Sequence, residues 1–89
     1  MRPSASELQD LLMRSFSGAQ IEVTDDSHLH AGHAGSKDGA GHYTVKIIWA
    51  DFAGKSTLAR HRLVYDSVRD RMPHDIHALS IQAFDSSPT

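Results

Sequence analysis

The stretch HYTVKIIW, residues 42–49, constrains the fold more than any other part of the sequence. Its apolar residues recur at every second position, at Tyr43, Val45, Ile47 and Trp49. This alternation is typical of a β-strand with one face in a core. The segments QIEVT (20–24) and IHALSIQAF (76–84) alternate in the same way. The chain therefore has three predicted strands, and its fold must contain a sheet.

Two other segments have helical spacing. The first begins at Ser4, which forms the sequence pattern of a capping box with Glu7, and Gly18 predicts its end. The second starts at Ser56 or Thr57 and stops before Pro73, as one helix or as two short ones. The predicted order is α-β-β-α-α-β, an α+β fold with a three-stranded mixed sheet and helices on one face.

The connections predict how the strands pair. Strands 1 and 2 are joined without a helix, which favours antiparallel pairing, whereas a helical segment joins strand 2 to strand 3, as in parallel pairs. The loop 25–41 and the start of strand 3 then lie at the same end of the sheet. This loop is rich in glycine and has no periodicity, so we expect it to be mobile.

Histidines gather at that end of the sheet. His28, His30 and His33 lie in the loop, and His77 lies near the start of strand 3. Imidazole is a common ligand for metal ions, so these side chains are candidates for a site with one rigid and one mobile part. Because His77 alternates in phase with Leu79 and Ile81, spacing alone favours a packed histidine of the core over a ligand.

The composition bounds the class of protein. With 89 residues the chain is long enough for one domain, residues 1–89, and we expect the tail 85–89 to fray. The absence of cysteine excludes disulfides and thiolate ligands from this chain. No apolar run reaches the length of a membrane span, and the start lacks the apolar region of a signal peptide. We therefore expect a cytoplasmic protein that does not bind membranes.

Two patterns that resemble enzyme motifs are incomplete. The segment GKST at 54–57 has the ending of a phosphate-binding loop, but Trp49 stands where that motif requires its first glycine. The chain also lacks the Gly-x-Ser-x-Gly turn that presents a nucleophilic serine. We therefore expect that this protein is not an enzyme.

Positive charge is concentrated in one predicted helical segment. Residues 55–71 hold five basic and two acidic residues, a net +3, whereas the rest of the chain holds four basic and nine acidic residues, a net −5. A solvated helix face is the simpler interpretation, and a nucleic-acid surface is the alternative. The candidate residues of that surface are Lys55, Arg60, His61, Arg62 and Arg69.

Several blocks of the sequence together resemble the BolA family. They are DSH followed by a histidine-containing loop, GHYTVKII, F-x-G-K-S-x-L-x-RHRLVY and IHALSIQA, and the match runs from about Leu8 to Phe84. The resemblance implies a domain similar to a class II KH fold. It also implies a heterodimer with a monothiol glutaredoxin that shares a [2Fe-2S] cluster, with a glutathione thiolate as a further ligand. The isolated chain is expected to hold no cluster, because it has too few ligands.

The resemblance also assigns roles to particular histidines. The family's C-terminal ligand falls on His77, and its loop ligand falls best on His30, with His33 or His28 as alternatives. His42 fits a family position too, but a strand-end histidine that bonds the backbone is the better interpretation.

Some BolA proteins regulate transcription by binding DNA, which gives the basic segment an alternative function. The net charge of −2 and the absence of the Gly-x-x-Gly clamp of true KH domains argue against it.

Overall fold

The strands and helices form in the predicted order. The computed structural model describes residues 3–27, 41–72 and 74–88. Its elements are α1 (Ala5–Ser15), β1 (Gln20–Asp25), β2 (Gly41–Ile48), α2 (Thr57–Ser67) and β3 (Ile76–Phe84), with 3₁₀ turns at Ala50–Phe52 and Arg69–Arg71. The predicted α+β class is confirmed. A 3₁₀ turn, rather than a further α-helix, follows α2.

β2 is the central strand of a mixed sheet with the order β1-β2-β3. β1 pairs antiparallel with β2, and β3 pairs parallel with β2, as the connections predict. The start of β3 therefore lies beside the start of β2, where Gly41 pairs with Ile76. This is the end of the sheet at which the connection from β1 enters β2.

The connection between β1 and β2 is shorter than predicted. Asp25 and Gly41 were both predicted to lie in the loop but belong to the strands. Asp25 extends the antiparallel pairing of β1 with β2, and Gly41 extends the parallel pairing of β2 with β3. Residues 28–40, with three of the histidines, lie outside the described residues. The predicted mobility of this loop therefore stays a prediction.

Both helices contribute to one hydrophobic core against the sheet. The buried apolar side chains are Leu8, Leu12, Phe16, Ala19, Tyr43, Val45, Ile47, Phe52, Val64, Val68, Ile76 and Leu79. On β2 they are the alternate residues that the sequence predicts, and on β1 Ile21 and Val23 are partly buried against them. The opposite face of β2 carries Thr44, Lys46 and Ile48.

The predicted helix starts are confirmed. Ser4 Oγ accepts a hydrogen bond from the Glu7 N–H at 3.0 Å, and the Glu7 carboxylate accepts one from the Ser4 N–H at 3.2 Å, which completes the capping box. Ser56 rather than Thr57 caps α2, since its Oγ accepts from the Ala59 N–H at 3.1 Å. In the part of the chain that the structure describes, neither helix has the length and hydrophobicity that a membrane crossing requires.

A bulge in β3 makes the predicted burial of His77 wrong. Gly41 pairs with Ile76, but His42 pairs with Ala78, so β3 has one residue more than β2 at this point. Ile76 and Leu79 are both buried although they are three positions apart, and His77 between them is exposed. The predicted phase with Leu79 fails because alternation assumes a regular pleat, which a bulge interrupts.

Candidate functional site

His77 is an exposed imidazole at the end of the sheet where β3 begins. It is the extra residue of the bulge, and bulges often redirect a side chain next to a functional site. The centroid of its ring lies 5.1 Å from that of the His42 ring, with an angle of 55° between the ring planes. The two rings belong to neighbouring strands, so the parallel pairing of β2 and β3 brings them together.

His42 is the buried member of this pair, with 8% of its surface exposed. Its N–H donates to Ser27 Oγ at 3.1 Å, and its carbonyl oxygen accepts from the Asp26 N–H at 2.7 Å. Ser27 is itself buried, and its N–H donates to the Asp25 carboxylate at 2.9 Å. These bonds fix the backbone of His42 against the end of β1.

Further hydrogen bonds join the start of β3 to the same place. The Gly41 N–H donates to the Asp75 carbonyl at 2.9 Å, and the Asp75 N–H donates to the Arg71 carbonyl at 2.9 Å. The Arg71 guanidinium also lies 3.7 Å from the Asp75 carboxylate. Residues 25–27, 41–44 and 75–77 are called the strand junction below. The two residues that flank the histidine-rich loop, 27 and 41, therefore lie close to His77.

The structure places part of the predicted metal site. His77 lies in the strand junction, whereas His28, His30 and His33 fall within residues 28–40, outside the described part of the chain. Across residues 3–27, 41–72 and 74–88, no group of three His, Cys, Asp or Glu side chains could hold a metal ion. A metal at the junction would therefore need donors from the loop, from solvent or from a partner.

The contact between His42 and His77 was not among the predictions from sequence. This contact follows from two sequence signals taken together. His42 stands at the first position of the HYTVKIIW strand, and the helical connection predicts that the start of strand 3 lies beside it. The remaining condition, the bulge that turns His77 out of the core, has no signal in the sequence.

Arg60 is directed towards the sheet. Its Nε donates to the Lys55 carbonyl at 3.0 Å, and its Nη1 donates to the Ala83 carbonyl at 3.2 Å. Its guanidinium carbon lies 5.9 Å from the centroid of the Phe52 ring, a cation–π distance. These contacts attach α2 to the end of β3, so this side chain is held by the fold.

The other candidates for a nucleic-acid surface are more accessible. Lys55, Arg62 and Arg69 are exposed, and His61 is half-buried. Leu58 and Leu63 line the same shallow groove as Lys55 and Arg62, together with Asp66. Phosphate contacts rely on positive charge, so the apolar and acidic side chains in this groove weaken the nucleic-acid interpretation.

These features define a class of protein. It is a small α+β domain with a mixed sheet, in which an exposed histidine stands where a parallel strand pair begins. The family described as BolA-like protein matches residues 12–87. The chain belongs to this family, as its sequence blocks predict.

A solved BolA domain has the same fold, and other BolA proteins have similar sequences. The BolA domain of SufE1 from Arabidopsis thaliana superimposes with a TM-score of 0.75 at 35% identity, over 90% of this chain and 88% of that domain. Protein BOLA1, chloroplastic, from the same plant is 39% identical over 80 residues, 86% of this chain. The DNA-binding transcriptional regulator BolA of Escherichia coli is 29% identical over 77 residues, 86% of this chain and 70% of the regulator.

The chain is much shorter than some of these relatives. It spans 50% of the length of Protein BOLA1. It spans 22% of the length of SufE-like protein 1 from Arabidopsis thaliana, to which it is 38% identical over 81 residues, 85% of this chain. The similarity therefore covers a BolA-like domain and not the remainder of those proteins.

Proposed function

We propose that this chain is the partner of a monothiol glutaredoxin and shares a [2Fe-2S] cluster with it, in iron–sulfur cluster trafficking or iron regulation. The cluster is cargo of the complex and binds together with glutathione. The observation that carries the proposal is the exposed imidazole of His77, which the β3 bulge presents beside the residues that flank the histidine-rich loop.

The donor set of the chain fits a shared cluster. A [2Fe-2S] core normally takes four ligands, and thiolates are the usual ones. This chain has no cysteine, so we assign the thiolates to the glutaredoxin cysteine and to glutathione, both at one iron. His77 and a loop histidine would serve the other iron. His30 is the first candidate in the loop, with His33 or His28 as alternatives.

Imidazole ligation also suits transfer or sensing. Histidines in place of cysteines on one iron raise the reduction potential, as in Rieske centres. The strand junction supports this role, because hydrogen bonds at Ser27, Gly41 and Asp75 hold the backbone on both sides of the loop and before His77. A ligand that is held before the partner arrives loses less conformational entropy on binding.

The test compares two exposed histidines that are three positions apart. The chain is combined with one monothiol glutaredoxin, glutathione, ferric iron and sulfide, and visible absorption and circular dichroism are recorded. His77→Ala should leave only the spectrum of the cluster-bound glutaredoxin alone. His74→Ala is the matched control and should retain the spectrum of the mixed complex. If His77→Ala gives the unaltered mixed spectrum while far-UV circular dichroism shows a folded domain, the proposal is wrong.

The loop ligand is tested in the same assay. His30→Ala should weaken the mixed spectrum less than His77→Ala does, because His33 and His28 are close in sequence and can replace it. The triple loop variant, without His28, His30 and His33, should match His77→Ala. A triple variant with the full mixed spectrum would remove the loop from the ligand set.

DNA binding is the second candidate function. It is favoured by the exposed basic residues Lys55, Arg62 and Arg69 and by the similarity to the regulator from Escherichia coli. The test measures affinity for duplex DNA at low and at physiological salt. A regulator should retain sequence preference at the higher salt, whereas a steep loss without preference would reflect the basic residues alone.

A further inference from the structure

The His42–His77 pair is the only cluster of two histidine rings in contact within the described parts of the chain. It is distinct from the loop histidines, because both of its rings belong to strands. The centroids are 5.1 Å apart, and one ring is buried while the other is exposed.

This separation matches two imidazoles that bind one metal ion. Zinc binds imidazole nitrogen at about 2.0–2.1 Å in tetrahedral geometry. The centre of an imidazole ring lies about 1.1 Å beyond the bonded nitrogen, so two such rings have centroids about 5.2 Å apart at the tetrahedral angle. Two rings that only pack against each other have centroids about 4.5–7 Å apart, a range that includes this distance. A metal titration distinguishes a chelate from simple packing.

The backbones of both histidines are held in place before any ion binds. The backbone of His42 is hydrogen-bonded to Ser27 and Asp26 at the end of β1. His77 stands between Ile76 and Ala78, which both pair with β2. The sheet therefore holds both backbones in place, and a preorganised site loses less entropy on binding. The exposed side of His77 gives an ion access from solvent.

We propose that His42 and His77 together bind a single divalent ion of the zinc type, with water as the remaining ligands. Imidazole suits zinc, nickel and copper better than magnesium or calcium, which prefer oxygen. The described residues add no third His, Cys, Asp or Glu side chain, so the site keeps open positions. This site does not depend on the glutaredoxin partnership.

One consequence of this site rests on the proposed function. His77 would serve both the divalent ion and the shared cluster, so the two would compete for one imidazole. Zinc bound to the free chain should therefore slow formation of the mixed cluster with glutaredoxin.

The experiment first removes the loop histidines. In a variant without His28, His30 and His33, zinc chloride is titrated into the free chain by calorimetry, and one ion per chain should bind. His42→Ala or His77→Ala in this background should each weaken the affinity by more than about tenfold. Loss of a ligand should cost at least as much as loss of a group that supports one, about 10–100-fold. His61→Ala and His74→Ala are the controls and should leave the affinity unchanged.

Because His42 is buried, His42→Ala can lose zinc binding through misfolding. A second measurement therefore leaves both strand histidines in place. In the same background without the loop histidines, and with both strand histidines intact, the ring ¹⁵N NMR signals of His42 and His77 should shift together with zinc while those of His61 and His74 stay in place. The proposal is overturned if this background binds no zinc, or if only His77 responds. Neither result would bear on the glutaredoxin complex, which is assayed with the partner and without zinc.

Discussion

At the scale of single residues, Gly41 is required for steric reasons. A Cβ atom at this position would overlap the ring of Tyr43, whose hydroxyl donates to the Pro3 carbonyl at 2.5 Å. Tyr43 is 1% exposed and cannot turn aside without losing this bond and its core contacts. Gly41→Ala should therefore lower the free energy of unfolding by about 1–3 kcal/mol, the usual cost of overpacking. Urea denaturation measures this change.

Gly18→Ala is the matched control for that prediction. Gly18 has a φ of +84°, and nothing lies within 4 Å of a Cβ placed there. Gly18→Ala should therefore lower the free energy of unfolding through backbone strain alone, by about 1–2 kcal/mol. Because Tyr43→Leu removes the ring, Gly41→Ala should cost less in the Tyr43→Leu background than in the parent chain, whereas Gly18→Ala should cost the same in both. Purely additive effects of Gly41→Ala and Tyr43→Leu would show that the two side chains do not compete for space.

Arg60 and Arg62 are two residues apart on α2 and should respond differently to the same change. Arg60 donates to the carbonyls of Lys55 and Ala83, and Arg62 is exposed. Arg60→Met leaves those carbonyls without their donor and should cost about 1–2 kcal/mol in the free energy of unfolding. Arg62→Met should stay within about 0.5 kcal/mol of the parent chain. Equal costs for the two substitutions would mean that Arg60 does not attach α2 to β3.

At the scale of elements, much of the fold follows from local pattern and connection length. The capping box at Ser4 marks the start of α1, and the alternation around Tyr43 marks the central strand. The helical connection predicts the parallel pair that places His77 beside β2. Each of these signals lies within a few residues or depends on a single rule about how strands are connected, which is why sequence alone reveals it.

The bulge at His77 could not be predicted in that way. It arises where Ile76 pairs with Gly41 and also reaches the core, and this fit depends on how β2 and α2 are already placed. The exposure of Leu58, 61%, is a similar case, because an apolar residue on a helix gives no sign of which face the sheet will cover. Alternation describes a regular strand, and the candidate site lies where the strand is irregular.

The two helix caps give a prediction at this scale. Ser4 takes part in two reciprocal hydrogen bonds with Glu7, whereas Ser56 makes one to the Ala59 N–H. Ser4→Ala should cost about 1–2 kcal/mol and Ser56→Ala about 0.5–1 kcal/mol. Thermal and urea unfolding measure both. Glu7→Ala combined with Ser4→Ala should cost less than the sum of the single changes, and strict additivity would exclude a working capping box.

At the scale of the whole molecule, the candidate metal site and the first turn of α2 lie at opposite ends of β3. Tyr65 near the end of α2 donates to the Leu79 carbonyl, and Arg60 near its start donates to the Ala83 carbonyl. Ala83 lies six positions after His77, about 20 Å along a strand. A protein that binds at His77 can therefore leave Lys55 and Arg62 accessible, and the two proposed activities need not exclude each other.

The last prediction concerns what the chain can hold alone. Without cysteine it offers only imidazoles to a cluster, and these replace at most part of the four ligands that a [2Fe-2S] core normally takes. Reconstitution of the purified chain with ferric iron and sulfide should therefore leave no visible absorption band and no bound sulfide after desalting. Addition of a monothiol glutaredoxin and glutathione should produce the band, with two irons for each pair of proteins. A cluster bound stoichiometrically by the free chain would mean that its histidines suffice, and that the thiolates assigned to the partner are not needed.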